Sequence, residues 1–469
     1  MQALKGLGGF MYGFGSPGGI ISYRTKRPTS TPMLSTTVGW RNDSAWSARV
    51  DASTRLNGPD SFGVRVNLAK DGGEAYNGAG LDREVIAVAM YFYWDTFEGD
   101  RLPHPTYDYE NVRVRNSYYR AKTTNATTGL QWRVSEDWNV DFTVGGSQRK
   151  HYSNKMFGNL LNEAGDYEGS VYNFAADLRS SVAQVLVTGS VETGAIRHEL
   201  VFGGAVQRSW DRWSNEFYWS NDFSGNLYQR QNFISHHVPD FSFAPVSSDE
   251  RQKSVFASDT LHFGEKWQAI LGARYVDYEQ RDKDGDPTVD SRYATSALTP
   301  TLALIYKPLE AVSIYGSYVE SLESGGRVGF DSEPPYANAG QVLDATISKQ
   351  YEIGAKYQSG RLGFTTAAFR VERGAKIDQW RDGQRYLVQD GLTLYRGFEA
   401  IASYGATDSL DIGLGGLWLD ASLEDLAPEN AALRGNRPAG SAPRSYVANF
   451  DYRPALLTGF SLHGTVRYS

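Results

Sequence analysis

Three constellations in this 469-residue chain have residue types and spacings that do chemistry elsewhere. Gly13, Gly15 and Gly18 satisfy G-x-G-x-x-G, the spacing with which a strand-to-helix turn cradles a pyrophosphate. Pro17 suits an opening helix poorly, no strand is readable before the run and no βαβ unit follows, so no nucleotide site is expected. Asp282, Asp284 and Asp286 imitate the first three ligands of an EF-hand loop, but Pro287 replaces the turn glycine and Tyr293 stands where the bidentate glutamate belongs. His236 and His237 are adjacent, yet no third ligand has a matching spacing, which leaves a solvated surface pair. There is no G-x-S-x-G, no H-E-x-x-H and no histidine beside a serine it could activate, so the chain is expected not to be an enzyme and to hold no metal of its own.

Composition narrows the classes further. Forty-seven Lys and Arg stand against 54 Asp and Glu, a net charge of -7 that offers no basic face for nucleic acid. The chain has no cysteine, which excludes disulfide staples, cysteine-zinc sites and thiol nucleophiles. Mean hydropathy is negative, and no run of 18 apolar residues could form a membrane helix. The longest apolar run, the ten residues from Val85 to Trp94, has the length of a tilted membrane-spanning strand, about 9–11 residues.

The elements available to position any site are strands. Alternation at period two dominates: Ala48, Val50, Ala52, Thr54 and Leu56 oppose Ser47, Arg49, Asp51, Ser53 and Arg55, and Phe460, Leu462, Val466 and Tyr468 oppose Ser461, His463, Thr465 and Arg467. Alternation alone fits a soluble sandwich as well as a membrane barrel. Loop lengths separate the two. Short turns such as Glu192-Thr-Gly-Ala195, Phe263-Gly-Glu-Lys266 and Lys307-Pro-Leu-Glu310 alternate with long polar connections near 72–83, 151–179, 212–251, 281–295, 323–345, 374–390 and 423–442. One plain end and one elaborated end is the asymmetry of an outer-membrane barrel. Aromatics crowding strand ends, among them Tyr91 to Trp94, Trp267 and Trp418, fit the girdles at the two membrane interfaces. Nineteen strands are expected between 33–41 and 459–468, including one at 84–95 and a weak one within 104–118 beside Pro103 and Pro105.

Before the first of these strands, Gly8 to Gly19 and Thr25-Lys26-Arg27-Pro28 resemble the end of the plug domain in TonB-dependent outer-membrane receptors, closest to the siderophore-receptor branch. Thr193-Gly-Ala-Ile-Arg-His198, Leu271-Gly-Ala-Arg-Tyr275, Leu298-Thr-Pro-Thr-Leu302, Ile314-Tyr-Gly-Ser-Tyr318, Gln350-Tyr-Glu-Ile-Gly-Ala-Lys356, Ala367-Ala-Phe369 and Arg396-Gly-Phe-Glu399 extend the resemblance along the chain. It implies an all-β fold, a transmembrane antiparallel barrel of which about 19 of about 22 strands are present. Residues 1–32 would be the end of the plug, with Gly13, Gly15, Pro17, Gly18, Gly19, Lys26, Arg27 and Pro28 as its structural motif, and 33–469 a barrel truncated before its last strands. No signal peptide, TonB box or full plug is readable, so the polypeptide alone is expected to be an incomplete form that does not transport.

The resemblance further implies TonB-dependent uptake of ferric siderophores across the outer membrane of a Gram-negative bacterium. Its partners would be the siderophore, the TonB-ExbB-ExbD energising complex and outer-membrane lipid or lipopolysaccharide, with no nucleic acid. No cofactor is implied, since iron would arrive inside its chelator. The rivals are a passive porin-like channel and a receptor for another scarce nutrient, a vitamin or carbohydrate. In the family, ligand is held by plug apices, upper barrel wall and loops. Trp210, Trp213, Tyr218, Trp219, Tyr336, Trp380, Arg381 and Tyr386 are the expected contacts, because aromatic rings give broad contact surface and arginine matches the negative charge common on ferric chelates.

Overall fold

The computed structural model describes residues 2–4, 20–22, 31–40, 46–55, 63–74, 80–83, 91–93, 104, 111, 114–115, 118–214, 218–234, 248–282, 291–329, 334–438, 440–454 and 462–468. The plug-end motif from Gly13 to Gly19 with Lys26, Arg27 and Pro28 lies outside the described residues, as do His236, His237, Asp284 and Asp286.

A first pair, β1 (Gln2–Leu4) and β2 (Ile20–Ser22), forms its own small antiparallel sheet. A second sheet follows in chain order: β3 (Met33–Trp40), β4 (Trp46–Arg55), β5 (Gly63–Glu74) and β6 (Gly80–Arg83). Two short strands come next, β7 (Tyr91–Tyr93) and β8 (Val114–Arg115). The large sheet is built from β7 together with β9 (Tyr118–Arg133), β10 (Trp138–Leu160), β11 (Asp166–Thr193), β12 (Ile196–Trp213), β13 (Tyr218–Asn226), β15 (Ser248–Phe263), β16 (Trp267–Asp282), β17 (Ser291–Leu309), β18 (Val312–Glu323), β19 (Thr346–Ser359), β20 (Leu362–Arg381), β21 (Gln384–Thr407), β22 (Leu410–Glu424), β23 (Arg444–Tyr452) and β24 (Leu462–Tyr468). Between β13 and β15, β14 (Phe233–Ile234) pairs with β8, and a 3-10 turn spans Pro428–Leu433. From β9 to β12 and again from β15 to β24 each strand pairs antiparallel with its chain neighbour, β12 pairs directly with β15, and β13 pairs with the far end of β11.

The register fixes which side chains share a face. Trp267, Leu271 and Tyr275 on β16 are 43%, 51% and 46% exposed, while Arg274, Val276 and Tyr278, on the opposite parity, are almost fully buried. The exposed row continues through Leu298, Leu302 and Leu304 on β17, Ile353 and Tyr357 on β19, and Leu414 and Trp418 on β22. Water-exposed apolar rows of this extent are unfavourable at about 25 cal/mol per Å², so this face is the one a membrane covers. From Trp267 to Tyr275 the row runs about 26 Å along the strand, the order of the apolar belt of outer-membrane barrels. Rings mark both borders. Trp267 stacks on Tyr306 at 4.4 Å near the short-turn end, and Phe398, Trp418, Tyr446 and Tyr468 form a ladder with 5.7, 5.7 and 6.2 Å between successive centroids.

Short turns occur where expected, at Gly194-Ala195, Gly264–Lys266, Gly360-Arg361 and Asp408-Ser409. Two expected loops are instead strand. β10 and β11 continue to a tight connection at 161–165, and β20 and β21 close on Asp382 (φ 50) and Gly383 (φ 75). An Asp-Gly pair with positive φ at both residues is the hairpin turn whose twist matches its strands. These extensions lie beyond the apolar belt, so their outward positions need not be apolar and the row that marks a membrane strand stops, although Phe174, Ala176, Ala375 and Ile377 are still buried on the inner side. Of the strand expected at 84–95, only Tyr91–Tyr93 is strand among the described residues, and it runs parallel to β10 at Phe157–Asn159. Within 104–118, the described residues include only Val114–Arg115 and the first residue of β9 as strand.

Candidate ligand-binding site

At the long-loop end, the face opposite the apolar row is the inner wall. Register aligns His151 of β10 with Ala176 of β11 and Trp213 of β12, and Phe174 lies one inward position further along β11. The small Ala176 leaves room for the rings on either side to meet. His151 meets Phe174 edge-on at 5.1 Å and Trp213 edge-on at 5.9 Å, and Phe174 lies 6.0 Å from Trp213. Such edge-to-face packing contributes about 0.5–1.5 kcal/mol per pair beyond burial and holds the indole in one orientation.

Beside this aromatic wall, Asp211, Glu250 and Asp282 share the inner parity of β12, β15 and β16. Burial raises the Asp211 and Glu250 carboxyls above the usual range, and for Glu250 the charges of Asp282 and Asp211 push the same way. Tyr278 donates to Gln280 at 3.0 Å, and Gln280 donates to Asp282 at 2.8 Å. No three of the described carboxylates or imidazoles are placed to hold one metal ion. Such a wall offers a bulky chelate ring contact and hydrogen-bonding groups.

Among the described residues, the rim above is made by the β20–β21 hairpin and residues 324–329 and 334–345. Tyr336 donates to Asp378 at 2.6 Å, Arg385 reaches the second carboxylate oxygen of Asp378 at 2.6 Å, and its guanidinium lies over the Tyr336 ring at 4.5 Å. Asn338 exchanges hydrogen bonds with the Leu387 backbone, and Tyr293 accepts the Ala345 N–H. The segment is thereby strapped to the hairpin on one side and to β17 on the other. Burial opposes ionisation of Asp378, but the Tyr336 and Arg385 hydrogen bonds outweigh it and hold the carboxyl below its ordinary range. The stabilisation is therefore fully present above the ordinary aspartate pKa and is lost as pH falls through the depressed value. Replacing Asp378 with asparagine is expected to weaken the strap by about 1 kcal/mol at neutral pH. Limited proteolysis should then cut within 324–345 faster in the variant, and the two proteins should converge only in strong acid.

The expected contact residues separate into distinct places. Trp213 lies on the inner wall. Trp210, on the same strand, has the opposite parity and faces outward, beneath the guanidiniums of Arg179 at 4.5 Å and Arg212 at 5.6 Å. Tyr218 and Trp219 lie on β13, opposite Asn173 and Tyr172, and their side chains are outside the described residues. Tyr336, Trp380, Arg381 and Tyr386 gather at the rim, where Trp380 is 60% exposed and Arg381 lies 5.8 Å from the Tyr386 ring. His151, Phe174, Asp211, Glu250, Asp378 and Arg385 were not among the expected contacts. The Asp382-Gly383 turn signal could have revealed the last two by extending the hairpin.

The family of TonB dependent receptor-like β-barrels matches residues 59–469. The chain belongs to that family. Its members are receptors and transporters of the Gram-negative outer membrane, not enzymes. The ferrichrome receptor FcuA of Yersinia enterocolitica is 26% identical over 99% of this chain and 65% of its own length. The metal-pseudopaline receptor CntO of Pseudomonas aeruginosa strain UCBPP-PA14 is 23% identical over the whole of this chain and 70% of its own. The chain thus spans about two thirds of the length of these relatives. In fold it matches BauA, the ferric preacinetobactin receptor of Acinetobacter baumannii, with a TM-score of 0.80 at 19% identity over 99% of this chain and 73% of that one.

Proposed function

We propose that this chain is the barrel of a receptor for TonB-dependent uptake of ferric siderophores. The observation that carries the proposal is that relatives named for ferrichrome and for a metal-pseudopaline chelate align with essentially its whole length. The inner wall supports it. An aromatic surface at Trp213 and a polar surface at Asp211, Glu250 and Tyr278 face the same lumen at the long-loop end, where an external ligand arrives first. Residues 1–32 are assigned to the end of a plug and 33–469 to the barrel. The separate β1–β2 sheet is consistent with that division. Energy would come from the TonB-ExbB-ExbD complex, and the outward apolar row would contact lipid and lipopolysaccharide. Equilibrium binding to the detergent-extracted protein tests the ligand class. Ferric hydroxamate, catecholate and mixed chelates would each be compared with the iron-free form. Saturable binding of at least one ferric chelate, at least tenfold tighter than its iron-free form, is expected. Absence of saturable binding across the panel would sink the proposal.

A further inference from the structure

Alternation decides which face each side chain takes, but it does not fix register, because a slip of two residues returns every side chain to its own face. Most neighbours in the large sheet are also held by a tight turn. β12 and β15 are not. Residues 214–247 separate them, the longest connection between two paired strands of the large sheet. The ligand wall is divided across this seam, with Asp211 and Trp213 on β12 and Glu250 on β15. A two-residue slip would carry Glu250 about 7 Å from its place beside Ser209.

A polar chain crosses the outward face of this seam. His198 Nδ1 donates to Asp259 Oδ2 at 2.6 Å, the tautomer that a carboxylate acceptor selects, and its Nε2 lies 2.6 Å from Thr193 Oγ1. Thr193 lies in the border row of Phe263 and Trp267, and His198 one row further in, opposite Leu261. Asp259 is opposite Leu271, about 13 Å along the strand from the Trp267 border and thus in the middle of the apolar belt. Among the described residues, no other charged side chain has outward parity in these rows on β11, β12, β15 or β16, since Glu192, Arg197, Glu199 and His262 take the lumen face. His198 and Asp259 are only 16% and 26% exposed, and Asp259 Oδ1 is buried with no hydrogen-bond partner among the described residues. His198 is therefore what compensates the carboxyl. An ionisable group in hydrocarbon is costly unless paired, and removing one partner leaves the other uncompensated.

We propose that Thr193, His198 and Asp259 form a register lock within the membrane belt that positions the two halves of the ligand wall, an inference that rests on the reading of that wall as the chelate site. The three are positioning residues, on the opposite face from the ligand. Sliding β15 by two residues toward the long loops would part Asp259 from His198 and put Val255 opposite Val206. Sliding it toward the short turns would put Arg251 opposite Val206 and bring Asp259 one row nearer the border, the direction an unpaired carboxylate favours. With His198 in place the carboxyl is satisfied at mid-belt, and the present register holds. Polar pairs buried in apolar surroundings serve this purpose elsewhere, setting register at a cost in stability.

Disulfide cross-linking in outer membranes reads the register directly, since none of the 469 residues is cysteine. Directly opposed cysteines have Cα atoms about 4.5–5.5 Å apart and can close a disulfide, whereas diagonal pairs at about 7–8 Å cannot. Val206→Cys with Lys253→Cys should close, and Val206→Cys with Arg251→Cys or with Val255→Cys should not. Adding His198→Leu is expected to close the pair at 206 and 251 in at least a tenth of the chains. His198→Leu with Asp259→Leu leaves no unpaired charge in the belt and should give slipped products in both directions; it decides the matter if the single variant fails to assemble. Asp259→Asn keeps an acceptor for His198 and should give neither. In the same variants without added cysteines, ferric-chelate binding capacity should fall by the slipped fraction while affinity stays unchanged. Absence of slipped products in the double-leucine variant, their presence with Asp259→Asn, or full chelate capacity in a slipped protein overturns the proposal. A native protein that binds no chelate would count against the wall as the ligand site, and the cross-links alone would then decide the lock.

Discussion

Leu302→Arg is expected to destabilise the protein by about 2–4 kcal/mol in lipid vesicles, the cost of a cation near the midplane on the lipid face of a barrel. Leu302 stands in the middle of the outward row of β17, with Tyr306 and Leu304 toward the short turn and Pro300 and Leu298 toward the loops. It is 42% exposed. In a soluble sheet an arginine there would hydrate freely, and substitutions at exposed sites usually change stability by no more than about 0.5 kcal/mol. Reversible denaturant unfolding in vesicles separates the outcomes. The control is Thr301→Arg on the adjacent inward position, where a polar lumen wall replaces hydrocarbon and the cost should be smaller. Equal, small effects at both positions would remove the case that this face meets lipid.

Trp213→Ala is expected to weaken binding of the preferred ferric chelate about tenfold, equivalent to about 1.4 kcal/mol. The indole presents ring surface to the lumen and is braced by His151 and Phe174, so its truncation removes contact area and frees its two neighbours. Trp210→Ala supplies the comparison. It removes the same side chain three residues earlier on the same strand, from the opposite face, and ferric-chelate affinity should stay within about twofold. If both substitutions weakened chelate binding equally, the inner wall would not be the site.

The barrel was legible because a membrane strand has to alternate. Positions such as Leu298, Leu302 and Leu304 repeat at period two whatever their neighbours are, and turns such as Thr193-Gly-Ala contain residues that only a reversal uses well. The upper hairpins were not legible, because above the belt neither face meets hydrocarbon. Lys376, Asp378 and Trp380 therefore read as a loop although they are paired with Gln389, Leu387 and Arg385. The site was half legible for a related reason. Residue type picked out both Trp210 and Trp213 as ring surfaces, but only parity within a known register separates a lipid-border tryptophan from a lumen tryptophan. The partners of Trp213 come from β10 and β11, and pairing across strands cannot be read from one strand's composition. Asp378 and Arg385 became visible as a pair only once the Asp382-Gly383 turn brought their strands together.

The most direct measurement is iron-55 uptake from ferric siderophores by the native host, with and without a deletion of this gene and with a plasmid copy restored. Deletion should abolish uptake of at least one ferric siderophore, restoration should return it, and loss of TonB should abolish it again. Unchanged uptake after deletion of the gene, or restored uptake that persists without TonB, would contradict an energised receptor and favour a passive channel.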